Sequence, residues 1–116
     1  MEKEEVFNEV INPAFEEAKE GIEEEGKEVS LDSQVSYLRV FLIVKSEGEQ
    51  IFQYKFKPRD KKKKDPKVNV ELEIQLPESS EPNEQTVIDG IVGKKFSELS
   101  KEEIVGDIED KYRENT

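Results

Sequence analysis

The sequence predicts a two-layer α+β domain: an N-terminal helix packed on an antiparallel meander of three to five strands, followed by a C-terminal helix. Three observations carry this. Residues 3 to 25 repeat apolar side chains at helical steps. Residues 28 to 76 repeat them every second position. A capped helical pattern then returns at residue 100.

In the first block, Phe7, Ile11, Ala14, Phe15, Ala18 and Ile22 recur at three- and four-residue steps, with Val10 beside them, and the opposite side is mostly glutamate. Gly26 follows the last periodic residue, where a helix commonly ends. Pro13 interrupts the block, yet the apolar stripe stays in phase across it. One helix kinked near Asn12 accounts for this; so does a short helix ending at Asn12, which then caps a second with Pro13 at its first position.

The period then becomes two. Val29 and Leu31 mark a short strand, residues 34–45 a long one, 50–57 a third and 67–76 the clearest. In the last, Val68, Val70, Leu72, Ile74 and Leu76 alternate with Asn69, Glu71, Glu73 and Gln75, as in an antiparallel sheet with one dry and one wet face. A turn at Gly48 pairs Val44 with Phe52, Leu42 with Tyr54 and Val40 with Phe56. The next hairpin is expected to set Phe56 against Val68, Tyr54 against Val70 and Phe52 against Leu72. All of these positions are even, so one register gathers every dry-face residue, and Lys55 and Lys57 fall near Glu71 and Glu73 on the wet face.

Residues 77–85, with two prolines, read as a polar loop. Residues 86–93 fit either an edge strand or a small hairpin turning at Asp89 and Gly90. "LSKEEI" (99–104) starts a helix: Ser100 caps, Glu103 completes a capping box, and Leu99 with Ile104 forms a hydrophobic staple. Ile104, Ile108 and Tyr112 form its buried stripe, with fraying expected after Arg113 and a place beside the first helix or over one end of the sheet. The whole of 1–116 reads as a single domain.

Composition narrows the chemistry. The 116 residues include no cysteine and no histidine, which removes disulfides, thiolate chemistry, zinc–thiolate sites and the commonest general base. No apolar run is long enough to cross a bilayer, and the acidic N-terminus resembles neither a signal nor a transit peptide, so a cytoplasmic location is expected. Acidic groups such as Glu23–Glu25, and Asp107 with Glu109 and Asp110, read as solvated helix faces. "DGIVGKK" (89–95) lacks phosphate-loop spacing, and Ser97 and Ser100 have no histidine partner. No cofactor, metal or catalytic site is expected.

Two surfaces remain as candidates. The chain's formal charge is −11, but residues 57–67, "KPRDKKKKDPK", hold seven basic and two acidic side chains, a local +5 against −16 elsewhere. This run falls at a hairpin tip bracketed by Pro58 and Pro66. It is either a solvated loop or, through Arg59, Lys61, Lys62, Lys63 and Lys64, a sequence-nonspecific grip on a polyanion; it contains no ring on which a base would stack. The second surface is the wet face of the long strand, where Val35, Tyr37, Phe41 and Ile43 take odd positions and Ile51 joins them across the hairpin. Either the C-terminal helix or residues 86–96 cover it, or it is an association face for a second copy or another protein. The expected role is therefore a non-catalytic protein-interaction module, self-associating through the sheet or attracting a basic partner to its acidic helices, as inhibitors and antitoxins of basic nucleases do. Nucleic-acid binding through the lysine loop is the alternative.

Overall fold

A computed structural model describes residues 1–75 and 81–116. The first helical rod is continuous: α1 (Lys3–Val6), a π turn (Phe7–Ile11) and α2 (Asn12–Glu23). Of the two readings around Pro13, the single rod is the one observed, and its local adjustment is a π turn. The amide of Asn12 donates to the carbonyl of Phe7, five residues back, so the rod widens just before the proline that lacks an amide proton. Phe7, Ile11, Phe15, Ala18 and Ile22 remain buried on one side throughout.

The sheet is an antiparallel meander in the order β1 (Glu28–Gln34), β2 (Arg39–Ser46), β3 (Glu49–Pro58), β4 (Val68–Ile74) and β5 (Asn83–Thr86). The expected long strand from 34 to 45 is shorter, beginning only at Arg39. Gln34 ends β1, Val35–Tyr37 form a 3-10 turn, and Leu38 reverses the chain with φ 53°. The parity already requires this break. Val29 and Leu31 are odd whereas Val40, Leu42 and Val44 are even, and an antiparallel pair brings them to one face as Val29↔Val44 and Leu31↔Leu42.

The second hairpin keeps the expected pairs Val40↔Phe56, Leu42↔Tyr54 and Val44↔Phe52. Its turn consists of Glu47 and Gly48, both at positive φ, and sets Ser46 opposite Glu49. That turn is one residue out of step with the apolar pairs. A bulge at Ile51 absorbs the difference and packs Ile51 against the core instead of leaving it beside Ile43. The third hairpin pairs Phe56 with Val70, Tyr54 with Leu72 and Phe52 with Ile74, two residues from the expected register. A shift of two preserves the face of every side chain, so the dry face survives the change. Leu76 and the first part of the expected 77–85 loop lie outside the described residues; its last part is not loop, since Asn83–Thr86 pair with β4 as β5.

Residues 87–96 then follow β4. The amide of Val87 donates to Val70, that of Gly93 to Val68 and that of Phe96 to Pro66, with a bridge between Lys67 and Lys95. Gly90, at φ 65°, turns the chain between them. α3 (Lys101–Asn115) begins as expected: Ser100 Oγ accepts from the Glu103 amide at 3.2 Å, and Leu99 and Ile104 are buried. It does not fray at Arg113 but runs two residues further.

Both helical layers lie on the even-numbered face of β2–β4. Phe15 meets Tyr54 and Phe56 edge-on, with ring centroids 5.7 and 5.9 Å apart. Phe52 meets Tyr112 of α3 at 5.5 Å, and Phe56 meets Phe96 at 5.7 Å. No helix among the described residues is long and apolar enough to cross a membrane.

Candidate contact face and basic loop

The two candidate surfaces read from the sequence meet at one end of the molecule. The open face of the sheet is built by alternation. Phe41 and Ile43 are half-buried on β2, level with Lys55 and Gln53 on β3 and with Asp32 and Ser30 on β1. Neither α3 nor residues 87–96 cover them, because Ile104, Ile108 and Tyr112 of α3, and Val87, Ile91 and Phe96, belong to the core on the other side. The expected intramolecular cover is thus absent among the described residues. Across β3 and β4 the face is polar and paired: Lys55 meets Glu73 at 3.4 Å and Lys57 meets Glu71 at 3.3 Å.

Of the expected association face, Phe41 and Ile43 stand where the alternation places them. Val35 and Tyr37 are exposed on the 3-10 turn at the end of the sheet, not along a strand. Ile51 is removed to the helix side by the bulge, where it lines a shallow hollow with Tyr112 and Arg113. The turn carries Tyr37 to the basic loop. The Arg39 guanidinium lies 4.7 Å from the Tyr37 ring centre and the Lys61 ammonium 4.5 Å. Arg39 and Lys57 also stand over Phe41, at 5.7 and 5.9 Å. The lysine run, which has no ring of its own, thereby acquires two from β2 and the turn before it.

The loop between β3 and β4 is held rather than loose. Lys3, at the start of α1, donates to the carbonyls of Lys61 and, at 3.0 Å, Lys63. The Asp60 carboxylate accepts from the Lys62 amide at 3.1 Å. Asp65 accepts from the Ser97 amide at 3.0 Å and from the Ser97 hydroxyl at 2.5 Å. Those Ser97 contacts hold the Asp65 carboxyl below the usual carboxylate range, chiefly through the hydroxyl. The loop's two acids are thus engaged by amides and a hydroxyl. Among the described residues neither Arg59 nor any of Lys61–Lys64 forms an ion pair.

A second charged cluster escaped the sequence reading. Asp107, taken for part of a solvated acidic face, is buried with Lys111 on α3. The Tyr54 hydroxyl donates to Asp107 Oδ2, Lys111 Nζ reaches Asp107 Oδ1 at 3.3 Å, and Asp89 meets the same ammonium at 3.0 Å. Burial, then the Asp107 charge, raises the Tyr54 phenol well above its ordinary value. Burial opposes the Lys111 ammonium, but Asp89 and Asp107 outweigh it and shift that group upward too. The 89–92 turn presses so close that a Cβ on Gly90 would overlap the Asp107 carboxylate. No buried side-chain nitrogen or oxygen among the described residues lacks a partner. This cluster ties α3 to the sheet and to the 89–92 turn. Its signal in the sequence was only the spacing: Asp107 and Lys111 fall on the same stripe as Ile104 and Ile108.

No group of three or more metal-ligating side chains is found among the described residues. No family model matches the chain, and no curated protein or solved structure does.

Proposed function

We propose that the protein is a non-catalytic docking module whose open sheet face and adjoining basic loop take an extended segment of a partner protein, apolar at one end and acidic at the other. The observation that carries this is the uncovered strip of Phe41 and Ile43 running into Arg39, Lys57 and the Tyr37–Lys61 contact. A half-buried aromatic and a β-branched side chain on an open face gain from meeting apolar groups. Arg39 and Lys61, which form no ion pair among the described residues, gain from meeting carboxylates, whereas Lys57 is already paired with Glu71. The sign of the charge on this side favours an acidic partner over the basic one that the glutamate-rich helices suggest. The first turn of α1 weakens that attraction, because Lys3 bonds the loop carbonyls and Glu4 lines one hollow with Lys61 and Lys62.

Phe41→Asp separates binding from folding. A peptide whose apolar half is followed by glutamates is titrated into the protein by fluorescence anisotropy, beside its counterpart ending in lysines. The glutamate peptide is expected to bind, to weaken as salt rises, and to lose affinity in Phe41→Asp while that variant still melts cooperatively above the assay temperature. Tighter binding of the lysine peptide, or undiminished binding by Phe41→Asp, contradicts the reading. So does a dimer in solution that Phe41→Asp dissolves, which would give the face to a second copy.

One observation favours a second reading. Tyr37, between Arg39 and Lys61, supplies the ring-and-cation pair on which single-stranded nucleic acid stacks. Glu71 and Glu73 on the same face weigh against it. A Tyr37→Ala variant that loses affinity for single strands about as much as one with Lys61–Lys64 neutralised would establish it; no affinity at low salt would end it.

A further inference from the structure

Two short motifs, unremarkable alone, are neighbours in the fold. "KPRDKKKKDPK" supplies Arg59, Lys63 and Lys67; "DGIVGKK", some thirty residues on, supplies Lys95. The Lys67–Lys95 bridge and the Phe96 amide on the Pro66 carbonyl, at 2.9 Å, lock the two segments together. Arg59, Asp60, Lys63, Asp65, Lys67 and Lys95 line one concavity of about 430 Å³, within the size range of small-ligand sites.

The charge inside this cup is unbalanced in an informative way. The carboxylates of Asp60 and Asp65 keep their charge, so four cations face two anions, but both are hydrogen-bonded, by the Lys62 amide and by Ser97, and Asp65 is also drawn to the charge of Lys95. None of Arg59, Lys63, Lys67 and Lys95 forms an ion pair among the described residues, although the chain carries 29 acidic side chains. The frame is fixed from three directions: Lys3 on the loop carbonyls, Asp65 on Ser97, and the Arg59 amide on the Lys67 carbonyl at 2.7 Å. Clustered like charges repel, and holding them on a rigid frame leaves that repulsion in place until an anion enters. Arg59 Nε donates to Asn69 Oδ1 at 3.0 Å, which orients the guanidinium, and a preorganised cluster of cations without ion-pair partners is what a multiply charged anion needs.

We propose that this cup binds a compact oligophosphate, with Arg59, Lys63, Lys67 and Lys95 as its cationic walls. The four cations, set against the two carboxylates, leave the cup a net +2 and spread its donors widely enough for more than one phosphate, and the Arg59 guanidinium can hold two oxygens of one of them. The cup shares only Arg59 and Asp60 with the concavity that adjoins Tyr37, so the proposal stands or falls separately from the docking role.

Tripolyphosphate is titrated calorimetrically into the full chain at low and moderate salt. Binding is expected, weakening as salt rises. Lys67→Gln with Lys95→Gln should lower affinity by about tenfold or more. Lys61→Gln with Lys62→Gln removes the same charge from the outer part of the loop and should change it by less than about threefold. Melting curves confirm that both double variants fold. Phe41→Asp should bind tripolyphosphate as the parent does, which separates this result from that of the peptide experiment. Absence of binding at low salt, or equal losses in the two double variants, overturns the proposal; equal losses would mean a diffuse field and no cup.

Discussion

The two faces of the sheet use the same strands and opposite chemistry. On the helix side, Tyr54, Phe52, Phe56, Leu42 and Val40 are wholly buried, and the buried polar group among the described residues, Tyr54 to Asp107 to Lys111, is satisfied internally and by the exposed Asp89. On the open side, no layer among the described residues lies above Phe41 and Ile43, and Arg59 and Lys61–Lys64 of the adjoining loop form no ion pair there. On the closed side charge is paired and mostly buried; at the loop end of the open side Arg39, Arg59 and Lys61–Lys64 form no ion pair among the described residues. The difference teaches that alternate residues of β2 and β3 carry unlike burdens in the fold, so substitutions two positions or one position apart should have unlike consequences, and the docking role proposed above falls to the open side.

The sharpest contrast is expected at the rings and acids of the closed side. Phe56→Ala removes a ring packed against Phe15 and Phe96 and should lower the unfolding free energy by about 3–5 kcal/mol, read from urea melts. Asp107→Ala leaves Lys111 buried with Asp89 alone and the Tyr54 hydroxyl without its acceptor; a loss of about 3–5 kcal/mol is expected. Gly90→Ala puts a methyl group into that carboxylate at a positive φ, and should cost about 1–3 kcal/mol. Its effect should shrink in the Asp107→Ala background, because the two changes strike one contact.

The closed side should also carry the alkaline limit of stability. Tyr54 and Lys111 keep their protons in the native state to higher pH than in the unfolded chain. Their contribution is therefore complete below the unfolded values, near 10, and is lost as pH rises toward the folded ones. Stability measured in urea should hold level from about pH 7 to 9 and fall above about 10. Tyr54→Phe should start about 1–3 kcal/mol lower and fall less steeply. An equally steep fall in Tyr54→Phe would place the limit elsewhere.

How much of this was legible in the sequence follows from what alternation does and does not encode. The even positions from Leu38 to Ile74 announced a common dry face, and they occupy one. Alternation is blind to a shift of two, which is why the β3–β4 pairing came out two residues away with every face preserved. It is also blind to a turn made without glycine or proline. The residues SQVSYL contain neither, and only the change from odd Val29 and Leu31 to even Val40 betrays the break. The bulge at Ile51 arises from a conflict between turn and register that neither reveals alone. At the candidate sites, the lysine run and the apolar odd residues of β2 were visible separately. Their meeting through Tyr37 and Lys61, and the approach of Lys95 to Lys67, are tertiary facts with no local signature. Asp107 and Lys111 look like an ordinary i,i+4 surface pair until Tyr54 comes to lie against them.

The division of labour between the two faces is tested most directly at Phe41, by measuring the unfolding free energy of Phe41→Asp in urea beside the parent chain. The account predicts a loss of about 1–2 kcal/mol, well short of that of Phe56→Ala, since the half-buried ring gives up its contacts with Arg39 and Lys57 and the new carboxylate faces Asp32, but no core is opened. A loss as large as that of Phe56→Ala would show that Phe41 is enclosed in the folded molecule and would contradict it.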